Sequence, residues 1–381
     1  MKIYKAIVIG GGISGLACGN KLHKKKQDDF LLLTKDLGGR MSISKSGLVD
    51  YGASYIRQGY KNIKKYVDKI EKIKIGDCYF IGKKNFVNVY TKRNLLELPR
   101  LIKLYFILKD FEKRLSRLRK RAEKEKQKDI LKSDKVLSSY VKKSAKQFIK
   151  ENKLERLNDV YFNPVFHSTG FVGYEKANAF FYLDNLLSVT TKLFIADFRK
   201  TVPKLTKGWE NKIKKQEVLK LNKIKKGLYK VSTLKHTYYA NNVVIAIPYR
   251  DAKKIHRVPQ PKQNISVYVI HIDGEREEIY KNKKVVFFKP QHHDITILWK
   301  QITGTDVIFS KILDPHLGKY YEKYKVIKKV YWDTAITLSG KKWFDQVLDD
   351  GLYLASEYNI CGLEDCFIAG VYAANQIIAK K

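Results

Sequence analysis

The chain is poor in cysteine, proline, arginine and acidic residues, and each scarcity excludes something. Four cysteines in 381 residues cannot build a disulfide framework. Cys361 and Cys366 lack zinc-ligand spacing and a partner pair, so a reducing cytoplasm and no metal site are expected. No apolar run of roughly eighteen residues occurs, which argues against a spanning helix. Ile3 to Ile9 opens directly on a strand pattern, with no signal-peptide layout. Asp and Glu number 38 against 76 Lys and Arg, a formal net charge of +38. Only 13 of those 76 are Arg, and the lysines spread along the whole length. A specific nucleic-acid interface would cluster its charge and favour Arg, so none is expected. Weak polyanion contact and attraction to an anionic membrane surface remain open. The apolar content of 44%, with 25 Tyr and 18 Phe, is enough for a sizeable core and excludes global disorder. At about 150 residues per domain the length suggests two or three domains.

The first residues carry the sharpest signal. Lys5-Ala6-Ile7-Val8-Ile9 reads as a strand buried on both faces, Leu16 to Leu22 as a helix, and Phe30 to Thr34 as a second buried strand. Between the first strand and the helix lies the turn Gly10-Gly11-Gly12-Ile13-Ser14-Gly15, with glycines at 10, 12 and 15. Gly10 suits a tight turn, Gly12 lets the backbone approach a pyrophosphate, and Gly15 lets helix and strand pack closely. The helix N-terminus then offers N–H groups and a positive dipole end to phosphates. A dinucleotide-binding unit usually ends its second strand in an acid that holds the ribose. Here Thr34 stands in that place and Asp36 two residues on, so either could contact the adenosine ribose. Lys35 leaves open a 2′-phosphate.

Further motifs follow in order. Leu37-Gly38-Gly39-Arg40-Met41 precedes Asp50-Tyr51-Gly52-Ala53-Ser54-Tyr55-Ile56. With these, the sequence resembles the FAD-dependent amine oxidase superfamily, which includes monoamine and polyamine oxidases, protoporphyrinogen oxidase, phytoene desaturases and renalase-like proteins. The resemblance implies that Gly38, Gly39 and Arg40 run beside the FAD pyrophosphate and ribityl chain, and that Gly52 and Ala53, with Ser54 and Tyr55, pass against the isoalloxazine. Downstream, Gly208-Trp209 and Glu217-Val218-Leu219 resemble the segment in which the backbone at Val218 would contact adenine. Val243 to Pro248, including Ala246, reads as a strand closing the FAD domain. Gly351 to Glu357 resembles the last flavin strand, with Glu357 toward the ribityl or pyrophosphate region. Gly362-Leu363-Glu364-Asp365-Cys366 resembles the start of the C-terminal helix, with the Leu363 N–H facing the flavin. Ser356, Asp365 and Ala369 depart from the family pattern.

This implies an α/β fold: a Rossmann-like FAD-binding domain (1–60, 205–255 and 345–381) with an inserted α+β substrate domain (61–204 and 256–344). The expected activity is hydride transfer from an organic substrate to flavin N5, with oxygen or a quinone as acceptor. The alternative is a non-catalytic basic module, binding membrane or polyanion, that retains a flavoprotein fold. A non-redox flavin mutase would carry Asn where Arg40 stands. No cysteine follows the Ser339-Gly340 stretch, so FAD should be non-covalent. Family features of simple amine oxidases are missing: no Lys lies near Gln263 to Tyr268, and Gly362 replaces a cage tyrosine.

Tyr55, Trp332 and Tyr358 are candidates for the substrate wall, although each also suits a packed core. His167 reads as a loop or core histidine, and His292-His293 as a surface turn. After Pro99, the series Leu101, Leu104, Leu108, Phe111, Leu115, Leu118 and Ala122 marks one helix face. Arg114, Arg117, Arg119, Lys120 and Arg121 make its later turns basic. It reads as a substrate-domain helix with a solvated basic face, or as a peripheral membrane contact through 101–122.

Overall fold

The computed structural model describes residues 2–87 and 91–380, and three sheets organise them. The largest has β1 (Ile3–Gly11), β2 (Phe30–Leu37) and β10 (Thr237–Ile245) at its centre, all parallel, with β17 (Leu352–Leu354) and β7 (Ile213–Lys215) parallel on either side. β8 (Val218–Lys225) and β9 (Leu228–Thr233) form an antiparallel hairpin on β10, and β16 (Val347–Asp349) closes one edge. The continuous apolar runs of the central strands follow from burial on both faces. Ala6, Val8, Leu32 and Val244 point into one core, and Ile7, Ile9, Leu33 and Val243 into the other. Parallel strands covered on both sides require such sequences.

The first helix, Ile13–Lys24, and the last, Leu363–Ala379, pack side by side on one face of this sheet. Gly370 makes that approach possible: a Cβ there would lie 2.0 Å from the Ser14 carbonyl oxygen.

The second large sheet runs β15 (Tyr321–Leu338), β11 (Gln263–Arg276), β14 (Asp306–Ser310), β13 (Ile295–Lys300), β12 (Val285–Phe288) and β5 (Cys78–Ile81). It is antiparallel except where β5 joins β12. Its alternation puts Val267, Val269, Phe287, Ile297, Trp299 and Phe309 on one face and Ile270, Ile272, Val286, Phe288, Leu298 and Ile308 on the other. A small third sheet, β3 (Tyr55–Arg57), β6 (Leu193–Asp197) and β4 (Asp68–Ile73), lies between. Thus β3, within the stretch assigned from sequence to the dinucleotide domain, pairs with a strand from the insertion.

The helix expected over 101–122 spans Leu98–Ala122. Leu104, Leu108, Phe111, Leu115, Leu118 and Ala122 are buried in a helical core with Phe148, Phe166, Tyr182 and Leu183. Leu104 and Leu108 therefore have no free face to offer a membrane. The basic end is also mostly paired. Arg114 bonds Asp110 and Asp134, Arg121 bonds Glu125, and Arg119 is buried against Asp365.

Candidate functional site

The carboxyl ends of the central parallel strands open onto one continuous cavity of about 1520 Å³. This is where open α/β sheets bind ligands, and the volume exceeds the several hundred Å³ usual for a single small ligand. Its polar end is lined by Gly10, Gly11, Gly12, Ile13, Ser14, Thr34, Asp36 and Val218, and its middle by Gly38, Gly39, Arg40, Gly52, Ala53 and Ser54. Ala246, Glu357, Gly362 and Leu363 complete that wall, while Tyr55, Trp299 and Trp332 belong to an apolar chamber formed with the inner face of the six-stranded sheet.

The glycine turn has the geometry its sequence suggested. Gly10 sits at φ +117°, and a Cβ there would meet the Ala246 carbonyl oxygen at 2.6 Å. A Cβ on Gly15, which packs beneath the turn, would lie 1.9 Å from the Gly10 oxygen. At Gly12 nothing lies within 4 Å of the same position, so the cavity itself occupies that space. Gly12 also caps the first helix, which has neither a side-chain cap nor an acid in its first turn. That leaves a positive helix end facing the cavity.

Thr34 is committed to the turn. Its hydroxyl donates to the Asp36 carbonyl at 2.6 Å and accepts from the Gly11 N–H at 2.9 Å. Asp36 is exposed on the cavity rim. Lys35 reaches away to Glu217, 2.7 Å off.

Arg40 forms an ion pair with the buried Glu357 and donates to the Ala335 carbonyl at 2.6 Å. Glu357 also accepts from the Thr337 hydroxyl at 3.0 Å. The pair therefore neutralises itself on the cavity wall, and Arg40 is not a free cation awaiting phosphate. Burial works against the guanidinium charge, but Glu357 outweighs it and holds the Arg40 pKa above the usual value. At the head of the last helix, Gly362 takes φ +123°. Glu364 and Asp365 turn away from the cavity: Glu364 accepts main-chain N–H groups of residues 61–63, and Asp365 pairs with Arg119.

In the chamber the Tyr55 ring lies 6.5 Å from that of Trp299. Burial raises its phenol pKa, against partial relief from Arg57 and a bond to Ser188. The indole of Trp332 donates to the Tyr51 carbonyl at 2.6 Å. Phe80, Val165, Phe171, Phe181, Phe287 and Phe309 supply more of the wall. Sequence reasoning missed Trp299 and these residues; alternation along residues 267–309 was the available signal.

Tyr358, expected on this wall, is not part of the cavity lining. It is buried between Tyr249 and Phe344 on the other side of the sheet. His167 is buried, with its Nε2 3.0 Å from the Lys311 ammonium, and burial lowers its pKa to about 4. His293 bonds the Gly82 carbonyl and lies against Phe288, so it is more than a surface turn. Among the described residues no group of three or more His, Cys, Asp or Glu could hold a metal ion, and none of the helices is long and apolar enough to cross a membrane. The four cysteines are free thiols.

The model of an NAD(P)-binding Rossmann-like domain family matches residues 8–70. No curated protein sequence matches the chain. Among solved structures the chain is similar to a CLA-producing fatty acid isomerase from P. acnes, at 13% identity and TM-score 0.70 over 99% of this chain and 98% of that one. It is similar to cyclohexylamine oxidase from Brevibacterium oxydans, at 14% identity and TM-score 0.67 over 99% of each chain. It is also similar to putrescine oxidase bound to putrescine, at 12% identity and TM-score 0.68 over the full length of both. The protein is thus an α/β protein with a Rossmann-like domain and a second domain. More particularly, it shares the two-domain fold of these enzymes along its whole length.

Proposed function

We propose that the protein is an oxidoreductase that binds FAD non-covalently and oxidises an apolar organic substrate. The observation that carries this reading is the continuity of the cavity: one space runs past the Gly12 turn and the Arg40–Glu357 pair into the aromatic chamber. Its size suits two molecules, one extended and one in the chamber.

The residues fit the cofactor. Open space at Gly12 and the uncapped helix end suit a pyrophosphate. Asp36, exposed on the rim while Thr34 is committed to the turn, would be the residue to hold a ribose, and Gly52 and Ala53 on the cavity wall would lie beside the ring. The head of the helix Leu363–Ala379 presents a positive dipole end to the same wall. Bound flavin would supply the hydride acceptor, at N5. The protein's own task is to bind, orient and exclude water. Tyr55, Trp299, Trp332 and the inner sheet face would perform it by covering the substrate with apolar surface.

The chamber also supports a substrate class. Among the cavity-lining carboxylates, Asp184, Glu217, Asp251, Asp333 and Glu357 are all ion-paired, and Asp36 sits on the polar rim. Among the described residues the aromatic part holds no spare carboxylate for an ammonium group. An apolar molecule, uncharged or carrying an anion, fits better than a cationic amine.

The test is direct. The purified protein should be yellow, or become so on incubation with FAD, and acid precipitation should release the colour into the supernatant. Colour retained in the pellet would overturn non-covalent binding. Failure to bind FAD at all would favour the basic-module alternative. Under anaerobic conditions, bleaching of the flavin by polyamines but not by apolar compounds would overturn the substrate class.

A further inference from the structure

The helix Leu98–Ala122 has a second apolar stripe that the core does not use. Leu98, Ile102, Tyr105 and Phe106 recur at helical spacing on the face away from Leu104, Leu108 and Phe111. They are exposed, Phe106 by 64% and Ile102 by 50%. The turn before the helix adds Leu95 and Leu96, at 70% and 78% exposure. Six large apolar side chains gathered at one corner are unusual on a soluble surface and mark an interaction site.

The charges around this corner select the occupant. Lys92, Lys103, Lys109 and Lys113 are exposed around the stripe, and Lys109 sits over the Tyr105 ring. Of the neighbouring acids, Glu112 lies beside Lys109 and Lys113, and the other two are engaged. Glu97 is buried between Arg100 and Arg156, and Asp110 bonds Arg114. The corner therefore presents apolar side chains among four exposed lysines and one glutamate, a net positive surround. A second copy would bring the same lysines against them, in a molecule of formal charge +38. An anionic bilayer complements both features, taking the apolar stripe below its headgroups and the lysines among them.

We propose that this corner, residues 95–109, is a peripheral docking site for anionic lipid membrane. It shifts the contact that the sequence suggested over 101–122: Leu104 and Leu108 are core, Phe106 stays exposed, and Leu95, Leu96, Leu98 and Ile102 insert with it. The corner is mechanically tied to the chamber. Asn94 donates to the Tyr161 hydroxyl at 2.6 Å, and the Tyr161 ring packs edge-on against Phe80 of the chamber wall, 5.6 Å between centroids. Docking would bring a chamber with an apolar lining close to a lipid phase. The docking claim itself stands without the flavin reading.

Co-sedimentation with vesicles tests it. The full-length protein should sediment with phosphatidylglycerol-containing vesicles at low salt, and much less with pure phosphatidylcholine or at high salt. Ile102→Glu with Phe106→Glu, both exposed and so compatible with folding, should weaken anionic-vesicle binding roughly tenfold or more, with an unchanged thermal melt. Lys103→Gln with Lys109→Gln should weaken it less and flatten its salt dependence. A parent protein that stays in the supernatant at low salt overturns the proposal. So does a glutamate variant that binds as the parent does, since binding would then be diffuse attraction to the overall charge. A parent dimer that the glutamate variant dissociates would assign the stripe to a subunit interface instead.

Discussion

The guanidinium of Arg40 and the carboxylate of Glu357 meet on the cavity wall, joining the loop after β2 to the segment after β17. Arg40 also holds the Ala335 carbonyl, so three distant segments converge on one charge. Removing one partner strands the other. Glu357→Gln should destabilise the protein by roughly 1–3 kcal/mol, less than for a fully buried pair because Arg40 is 27% exposed on the cavity wall. The Arg40→Met and Glu357→Gln double variant should lose less than the sum of the singles. Denaturant unfolding of all three checks this; additive losses would mean that the pair is not coupled.

Gly12 and Gly15 should separate binding from folding. Gly12→Val adds a side chain into open cavity, so the fold should survive while FAD binding is lost. Gly15→Ala forces a Cβ against the Gly10 carbonyl, 1.9 Å away, so the melting temperature itself should fall. Flavin content and thermal melts of the two variants decide it. A well-folded Gly12→Val that retains FAD would remove this turn from the binding site.

Leu104 and Phe106 lie two residues apart on opposite fates. Leu104→Glu buries a charge among Leu108, Phe111 and their neighbours and should cost a few kcal/mol or prevent folding. Phe106→Glu should leave stability within about 0.5 kcal/mol. Equal effects on the melt would place Phe106 in the core.

His167 should make the protein acid-sensitive. Its folded-state pKa is depressed to about 4, first by burial and then by the Lys311 charge. The unfolded chain therefore takes up this proton at higher pH than the folded one. The resulting loss is absent above about pH 6.5, grows as pH falls from there by up to roughly 1.4 kcal/mol per unit, and levels off below about pH 4. His167→Phe should flatten that part of the stability–pH curve. An unchanged slope would show that the ring is not held neutral.

The local half of the site was legible because its physics is local. Glycines at 10, 12 and 15 between an apolar run and a helix state their own geometry, and Thr34 and Asp36 follow at fixed offset. The chamber was not legible. Val267, Phe287, Ile297, Trp299 and Phe309 come from four strands whose alternation shows two faces but not which face meets the cofactor domain; β5 and β12 supply the answer only after pairing. Tyr358 was misread for a simple reason. Glu357 and Tyr358 lie in the turn that follows β17, and there the two side chains diverge, Glu357 to the cavity wall and Tyr358 to the opposite core. Arg119 looked like one of a solvated basic run because its partners, Asp184 and Asp365, lie far along the chain.

Those partners have a kinetic consequence. Arg57, Asp184, Arg119 and Asp365 form a buried four-charge cluster, with both guanidinium groups against the Tyr60 ring. They come from β3, two insertion helices and the C-terminal helix, so the cluster rivets both parts of the molecule at one point. A jaw-like opening would have to pull these ions apart in a dry interior, where separated charges are most costly. Relative opening of the two parts is therefore resisted at this point, and the exposed rim at Asp36 offers a ligand a way in that leaves the cluster intact.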